Sequence, residues 1–176
     1  MNYNNLKILF ENYNENFAGK TVEMTSNYKK IPCFRIKMEA NNLPHLLGLH
    51  YCVKGKSATD ICTMINSGLL RYEQVKATDE FKVYNIKSRI ESYVYLEKFL
   101  KNAEGRVFYP TENLKPNPMK LVIVFSEQKS TGEVVLGCKR DVQEESFRLA
   151  TLHYSRKRKY TELKSSKILS VKWDDA

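Results

Sequence analysis

One histidine in this sequence stands where a side chain could do acid–base chemistry. His45 directly follows Pro44 in the segment 41–50, Asn-Asn-Leu-Pro-His-Leu-Leu-Gly-Leu-His. Residues 34–40 alternate apolar and polar side chains, which predicts a half-buried strand, and Asn42 and Pro44 predict that a helix begins there. Because the first turn of a helix attracts phosphate, the pattern favours an imidazole beside a bound phosphate. The alternative is a histidine with a purely structural role.

A second stretch combines cations with aromatic rings. Residues 153–160 read His-Tyr-Ser-Arg-Lys-Arg-Lys-Tyr, and residues 139–172 as a whole carry ten Lys and Arg against four Asp and Glu. Cations contact phosphates and aromatic rings stack on unpaired bases, so the run favours single-stranded or locally open RNA. The alternative is a hairpin tip that basic residues keep solvated.

Together the two stretches contain the groups for a reaction that needs no metal. A histidine can take the proton of a ribose 2′-OH or give one to the leaving 5′-oxygen, and cations and hydroxyls can stabilise and orient the phosphate. The products would be a 2′,3′-cyclic phosphate and a 5′-hydroxyl. The catalytic candidates are His45 as acid or base, Tyr154 and Ser155 as orienting groups, and Arg156, with Lys159, as stabiliser. The RNA-binding candidates are Lys139, Arg140, His153, Lys157, Arg158, Lys159 and Tyr160.

The composition of the chain indicates how many domains it forms and which kind of partner it binds. A chain of 176 residues with 42% hydrophobic content predicts one domain across residues 1–176. The net charge of +9 indicates an acidic partner, most often nucleic acid and less often a membrane surface or an acidic protein. There is no apolar run of membrane-spanning length and no basic signal-peptide region at the N-terminus, so we expect a soluble, cytoplasmic protein. The four cysteines and three histidines lack zinc spacing, and we expect no metal and no cofactor.

Hydrophobic periodicity places helices before strands. It predicts helices over 6–17, 57–68 and 81–102, and strands over 106–109, 120–125, 134–138 and 147–155. Residues 167–173 are predicted to add an edge strand or a short helix. The expected fold is therefore α+β, with the helices packed on one face of a C-terminal antiparallel meander of about four strands.

The arrangement resembles the nuclease superfamily that groups barnase, EndoU, colicin-type tRNases and RelE, in particular its phage- and mobile-element-associated branch. The resemblance lies in a strand that leads into Asn-x-x-His-Leu-x-Gly, here Asn42, His45, Leu46 and Gly48. It continues in a late strand that ends in an aromatic, hydroxyl and basic cluster, here Tyr154, Ser155 and Arg156 with Tyr160 nearby. It implies a single nuclease domain that cleaves cellular RNA, as a toxin or phage-defence protein does, with an acidic antitoxin- or immunity-like partner.

Two functions from different classes follow from these patterns. The first is a metal-independent endoribonuclease that uses His45. The alternative is a non-catalytic RNA-binding or regulatory module that uses the same basic sheet, and a third reading is a protein-interaction domain whose charge only aids solubility. Substitution of His45 separates the first two, because a binding module has no turnover to lose.

Overall fold

The computed structural model describes residues 4–141 and 144–175, which form eight helices and seven strands. In chain order these elements are α1 (Leu6–Asn16), β1 (Lys20–Ser26), β2 (Cys33–Lys37), α2 (Asn42–Leu46), α3 (Leu49–Cys52), α4 (Ala58–Asn66), α5 (Tyr72–Lys76), α6 (Asp79–Val83), α7 (Ile86–Ser92), α8 (Tyr95–Leu100), β3 (Val107–Pro110), β4 (Ile123–Lys129), β5 (Gly132–Arg140), β6 (Phe147–Ser155) and β7 (Ser166–Asp175). All helices thus precede the last five strands, and the α+β class is confirmed.

The seven strands form a closed barrel in the order β1-β2-β6-β5-β4-β3-β7, in which β7 also pairs with β1. Strands β4, β5 and β6 are an antiparallel meander, as expected. Strand β2 runs parallel to β6 and meets it through Ile36–Phe147 and Lys37–Arg148. This short pairing brings the end of β2 beside the start of β6, and both elements border the candidate site.

One apolar cluster joins the helices to the sheet. Leu9 of α1, Leu46 of α2 and Ile90 of α7 are fully or almost fully buried with Ile36 of β2 and Leu136 of β5. Burial of such side chains is the main favourable term in folding. Helices α2 and α7 both pack against β6. Within the described residues, no helix combines the length and apolarity needed to cross a membrane.

The structure corrects three predictions about elements. The expected four-strand antiparallel meander is present as β3 to β6, but it understates the sheet, since seven strands close on one another and β2 pairs with β6 in parallel. The last strand is not an edge strand, because β7 pairs with β1 and β3. The single helix over 81–102 is instead the end of α6 followed by α7 and α8. Asn85 interrupts it in the left-handed conformation (φ 53°), which asparagine tolerates better than most residues.

Candidate active site

His45 lines a cavity of about 380 Å³ where four elements meet. The walls come from the end of β2, from α2, from the end of β5 and from the start of β6. Lys139 of β5 and Arg148 of β6 are the cations that line it beside His45, and Lys37 lines it while paired with Glu144. The His45 side chain is exposed to this space. The cavity therefore presents an imidazole and two cations to one small volume, whose walls also carry the carboxylates of Glu39, Asp141 and Glu144.

The turn between β2 and α2 is fixed by Asn42. Its backbone N–H donates to the Glu39 carbonyl, and its side-chain Oδ1 accepts from the Glu39 N–H, each at 2.9 Å. Asn42 is buried, so these bonds are shielded from water. The predicted helix start is confirmed, since α2 begins at Asn42 after β2. This helix has only five residues, however, with His45 in its last turn, and Asn41 makes no side-chain cap bond. The Asn42 side chain bonds backward to Glu39 instead of forward to the helix.

Gly48 completes the turn that presents His45. It adopts the left-handed conformation (φ 72°), which glycine enters without the Cβ penalty. A Cβ at this position would lie 2.8 Å from Cδ of Arg89 and 2.8 Å from Cδ1 of Ile86, so α7 could not approach so closely. Two structural requirements therefore favour glycine at this position of the Asn-x-x-His-Leu-x-Gly pattern. One is the left-handed backbone conformation, and the other is the close approach of the Arg89 and Ile86 side chains.

The surroundings of His45 favour its neutral form. Desolvation lowers the pKa of His45 below its usual value of 6.5, and the charges of Arg148 and then Lys139 lower it further. Both effects disfavour the imidazolium, because it would be poorly hydrated and close to other cations. A neutral imidazole can accept a proton near physiological pH.

A second histidine touches the first. The ring centroids of His45 and His50 are 4.9 Å apart, and His50 lies 4.0 Å from the ring of Tyr51. The pKa of His50 is also lowered, first by desolvation, then by the charge of His45, and also by Arg89, while a hydrogen bond to the Pro44 carbonyl opposes the shift. Sequence reasoning did not single out His50, although its spacing from His45 across Gly48 was visible.

Tyr154, Ser155 and Arg156 lie at the opposite end of β6. The strand rises about 3.3 Å per residue, so Tyr154 is about 20 Å along β6 from Arg148. The hydroxyl of Tyr154 is 2.6 Å from Oγ1 of Thr131 in the β4–β5 turn, and Oγ of Ser155 donates to the Lys157 carbonyl at 2.7 Å. The structure therefore does not bring these three predicted catalytic residues together with His45.

Most of the basic run that follows β6 is held by local bonds. Arg158 donates to the carbonyls of Lys129 and Ser130, both at 2.7 Å, and so closes the β4–β5 turn. Lys159 Nζ lies 4.8 Å from the ring centroid of Tyr160, which is fully buried. Arg156 and Lys157 are exposed, and they are the members of the run best placed to meet a ligand.

A buried carboxylate anchors the same segment. Glu133 is fully buried and accepts hydrogen bonds from Oγ of Ser126 at 2.8 Å and from the backbone N–H groups of Tyr160 and Thr161 at 3.1 Å each. These bonds compensate a charge that would otherwise be costly to bury. Glu133 therefore fixes the loop that carries the distal cations, a role that sequence reasoning missed.

His153 lies between the two ends of β6. Its Nδ1 is 3.1 Å from Oγ1 of Thr151, to which Arg89 Nη1 also donates at 3.4 Å. Burial lowers the pKa of His153 to about 4, with smaller contributions from Arg89 and Lys159. Its side chain faces away from that of Tyr154, as alternation along the strand predicts: Val135 opposite His153 belongs to a different apolar cluster from Val134 opposite Tyr154.

The structure thus divides the predicted residues between two places. Lys139 joins His45 in the cavity, whereas Arg140, its neighbour, lies over the ring of Phe147 at 5.7 Å and borders a separate cavity. Arg148 was missed in the sequence. Its place as the exposed residue after Phe147 in a predicted strand was a usable signal, but its proximity to α2 was not visible.

A metal site needs several His, Cys, Asp or Glu side chains close together. Across residues 4–141 and 144–175, no three His, Cys, Asp or Glu side chains come close enough to form a metal site. The four cysteines are unpaired. Cys62 and Cys138 are buried, whereas Cys33 is exposed. The side chains that line the His45 cavity can offer proton transfer by imidazole or carboxylate and charge stabilisation by cations.

Comparison of the chain with known proteins identifies its family. One protein-family model matches residues 5–175 and is described as phage-Barnase-EndoU-ColicinE5/D-RelE like nuclease4. The match covers nearly the whole chain, including α1 and β7. No curated protein and no solved structure matches.

Proposed function

The chain belongs to the phage-Barnase-EndoU-ColicinE5/D-RelE like nuclease4 family, and from that premise we propose that it is a metal-independent endoribonuclease. The observation that carries the proposal is the meeting of His45, Lys139 and Arg148 at one cavity. RNA supplies its own nucleophile, the 2′-hydroxyl, so the protein has only to accept a proton, give one back and stabilise charge on the phosphate.

In the proposed reaction, His45 acts first as a base. The neutral imidazole, which the local electrostatics favour, takes the proton of the ribose 2′-OH. The 2′-oxygen then forms a bond to phosphorus, and the bond from phosphorus to the 5′-oxygen breaks. The leaving 5′-oxygen takes up a proton from an acid or from water, which gives a 5′-hydroxyl and a 2′,3′-cyclic phosphate. Lys139 and Arg148 stabilise the negative charge that builds on the phosphate oxygens.

The distal cluster binds RNA in this proposal instead of performing chemistry. Arg148 is exposed at the cavity, near the start of β6, and Arg156 and Lys157 are exposed beyond the other end of this strand. A single strand laid along β6 could contact both ends. Tyr154 and Ser155 then position the chain segment that carries Arg156, which replaces their expected role at the scissile phosphate.

The experiment that tests the proposal uses purified protein and total cellular RNA in excess EDTA. We expect discrete fragments that end in 2′,3′-cyclic phosphate and begin with 5′-hydroxyl. Cleavage that appears only when a divalent metal is added back would contradict metal independence. Fragments that end in 3′-hydroxyl would contradict the 2′-hydroxyl mechanism, and intact RNA that is nevertheless shifted on a native gel would favour the non-catalytic RNA-binding module.

We propose in addition that the activity is toxin- or phage-defence-like and that an acidic protein neutralises it. The support is the net charge of +9 together with the exposed Arg148 at the cavity mouth. Carboxylates of such a partner would pair with the cations that the phosphate needs. Capture from the native host should recover an acidic protein that blocks cleavage, and its binding should weaken in Arg148→Glu. Recovery of no acidic protein would contradict this part of the proposal.

A further inference from the structure

Four aromatic rings lie in a row that starts at His45 and leads away from the cavity. The centroid distances are 4.9 Å from His45 to His50, 4.0 Å from His50 to Tyr51 and 3.9 Å from Tyr51 to Tyr84. The last two rings are stacked with an angle of only 4° between their planes. Tyr84, the outermost ring, keeps 42% of its surface exposed. The stacked pair of tyrosines is thus connected to His45 through the ring of His50.

The Tyr51–Tyr84 pair is held rigidly. The Tyr84 backbone N–H donates to the Glu80 carbonyl at 2.9 Å, and the Tyr84 carbonyl accepts from Nε of Arg89 at 3.4 Å. The guanidinium carbon of Arg89 also lies 5.9 Å from the centroid of the Tyr51 ring. A fixed ring loses little conformational freedom when a ligand stacks on it, which favours binding.

The pair borders a second cavity, of about 300 Å³, whose charges indicate what it accepts. Asp79 and Glu80 line it, together with Lys54, whose Nζ lies 2.5 Å from Glu80 Oε1. Of the described residues that line it, two are carboxylates and one is a cation, whereas the His45 cavity has three cations for its three carboxylates. The RNA backbone is therefore a less favourable occupant here than at His45. A base is neutral, presents a flat face to an aromatic ring and has edge groups that carboxylates can accept from.

We propose that Tyr84, backed by Tyr51, is the stacking site for an unpaired base of the RNA whose phosphate lies at His45. This inference rests on the proposed function and adds a requirement to it: the substrate is single-stranded or locally open beside the cleaved bond. Stacking on an aromatic ring is available to every base, so the site selects unpaired RNA and not a sequence.

The test measures binding, so that it does not depend on cleavage. In a His45→Ala background, fluorescence anisotropy compares a short labelled oligoadenylate with an abasic ribose-phosphate chain of the same length. Tyr84→Ala should weaken oligoadenylate binding by about 5- to 150-fold and leave binding of the abasic chain within about twofold. Tyr84→Phe keeps the ring and should bind as the parent does. Leu169→Ala removes an exposed apolar side chain of β7 that does not line this cavity, and should also bind as the parent does.

The proposal is overturned if Tyr84→Ala binds oligoadenylate as tightly as the parent, if it weakens both probes equally, or if the parent binds neither probe. The wild-type cleavage assay separates this failure from that of the proposed function. If the wild type cleaves RNA but Tyr84→Ala does not change binding, only the stacking site is wrong. If Tyr84→Ala weakens binding but the wild type does not cleave RNA, the stacking site stays supported and the nuclease proposal is wrong.

Discussion

The His45 imidazole lies 4.9 Å from that of His50, centroid to centroid, with 51° between the ring planes. Both pKa values are below the usual 6.5, and the charge of His45 contributes to the shift of His50. Two adjacent imidazolium ions near Arg89 and Arg148 would repel one another. These surroundings therefore favour the neutral form of both rings, the form in which His45 can serve as a base.

The first prediction concerns the pH dependence of cleavage. A base is active above its pKa and inactive below it. Because the pKa of His45 is lowered from 6.5, the midpoint of the acidic limb of kcat/KM should lie below pH 6.5. Arg148→Ala removes the largest charge effect on this pKa, so its acidic limb should move to higher pH. The measurement is kcat/KM across a pH series with one defined RNA. An acidic limb at the same pH in both proteins would contradict the assignment of His45 as the base.

The second prediction concerns the cations of the cavity. Arg148→Ala, measured on the pH plateau, should lower kcat by about 10- to 100-fold, because a cation that stabilises transition-state charge is lost from a partly hydrated site. Lys7→Ala is the matched control, since Lys7 is an exposed lysine on α1 paired with Glu11 at 4.0 Å. If both substitutions lower kcat by the same small factor, Arg148 contributes only to the net positive charge of the protein and not to stabilisation of the transition state.

The third prediction separates two roles of Gly48. Gly48→Ala and Gly55→Ala place a side chain at nearly the same backbone conformation, φ 72° and 73°, so each should lose about 1–2 kcal/mol of unfolding free energy. A Cβ at Gly55 has nothing within 4 Å, whereas at Gly48 it meets Arg89 and Ile86 at 2.8 Å. Gly48→Ala should therefore lose more stability than Gly55→Ala and also reduce cleavage. Chemical denaturation measures the loss of unfolding free energy. If the two variants lose the same amount, the added Cβ at Gly48 is accommodated by a shift of α7 that costs little.

The fourth prediction concerns Glu133. Glu133→Ala leaves the N–H groups of Tyr160 and Thr161 without their acceptor, and should lower the unfolding free energy by about 2–5 kcal/mol. Ser126→Ala removes one bond to the same carboxylate and should cost about 1 kcal/mol. Urea denaturation measures both. If Glu133→Ala costs no more than Ser126→Ala, the carboxylate is not what anchors the basic segment.

Local patterns predicted local structure well. The cap and periodicity of 57–68 predicted α4, which Ser57 and Asp60 close with a capping box, and alternation predicted β6 with its observed bounds, Phe147–Ser155. Neither pattern extends beyond its own segment. The pairing of β7 with β1, which closes the sheet, joins Trp173 to Val22 across almost the whole chain, and no local signal specifies it.

Only some residues of the candidate site were predictable, because local patterns do not show which distant segments meet. His45 was recognisable from its own neighbours, and Lys139 from the local excess of basic residues. Arg148 and Tyr84 reach the site only because β6 pairs with β2 and because Asn85 breaks the long helix. Tyr154 was assigned to the site because a strand end and a histidine were assumed to meet, whereas it is the other end of β6 that lies beside His45.

The most direct test of the account is a comparison of wild type and His45→Ala on one defined single-stranded RNA, with single-turnover cleavage and equilibrium binding measured on the same preparation. We expect His45→Ala to lower the cleavage rate by about 10²- to 10⁴-fold, because a general base is lost. Its Kd for the RNA should stay within about twofold of the wild-type value. Cleavage by His45→Ala at the wild-type rate, or a loss of binding that accounts for the whole effect, would contradict the account.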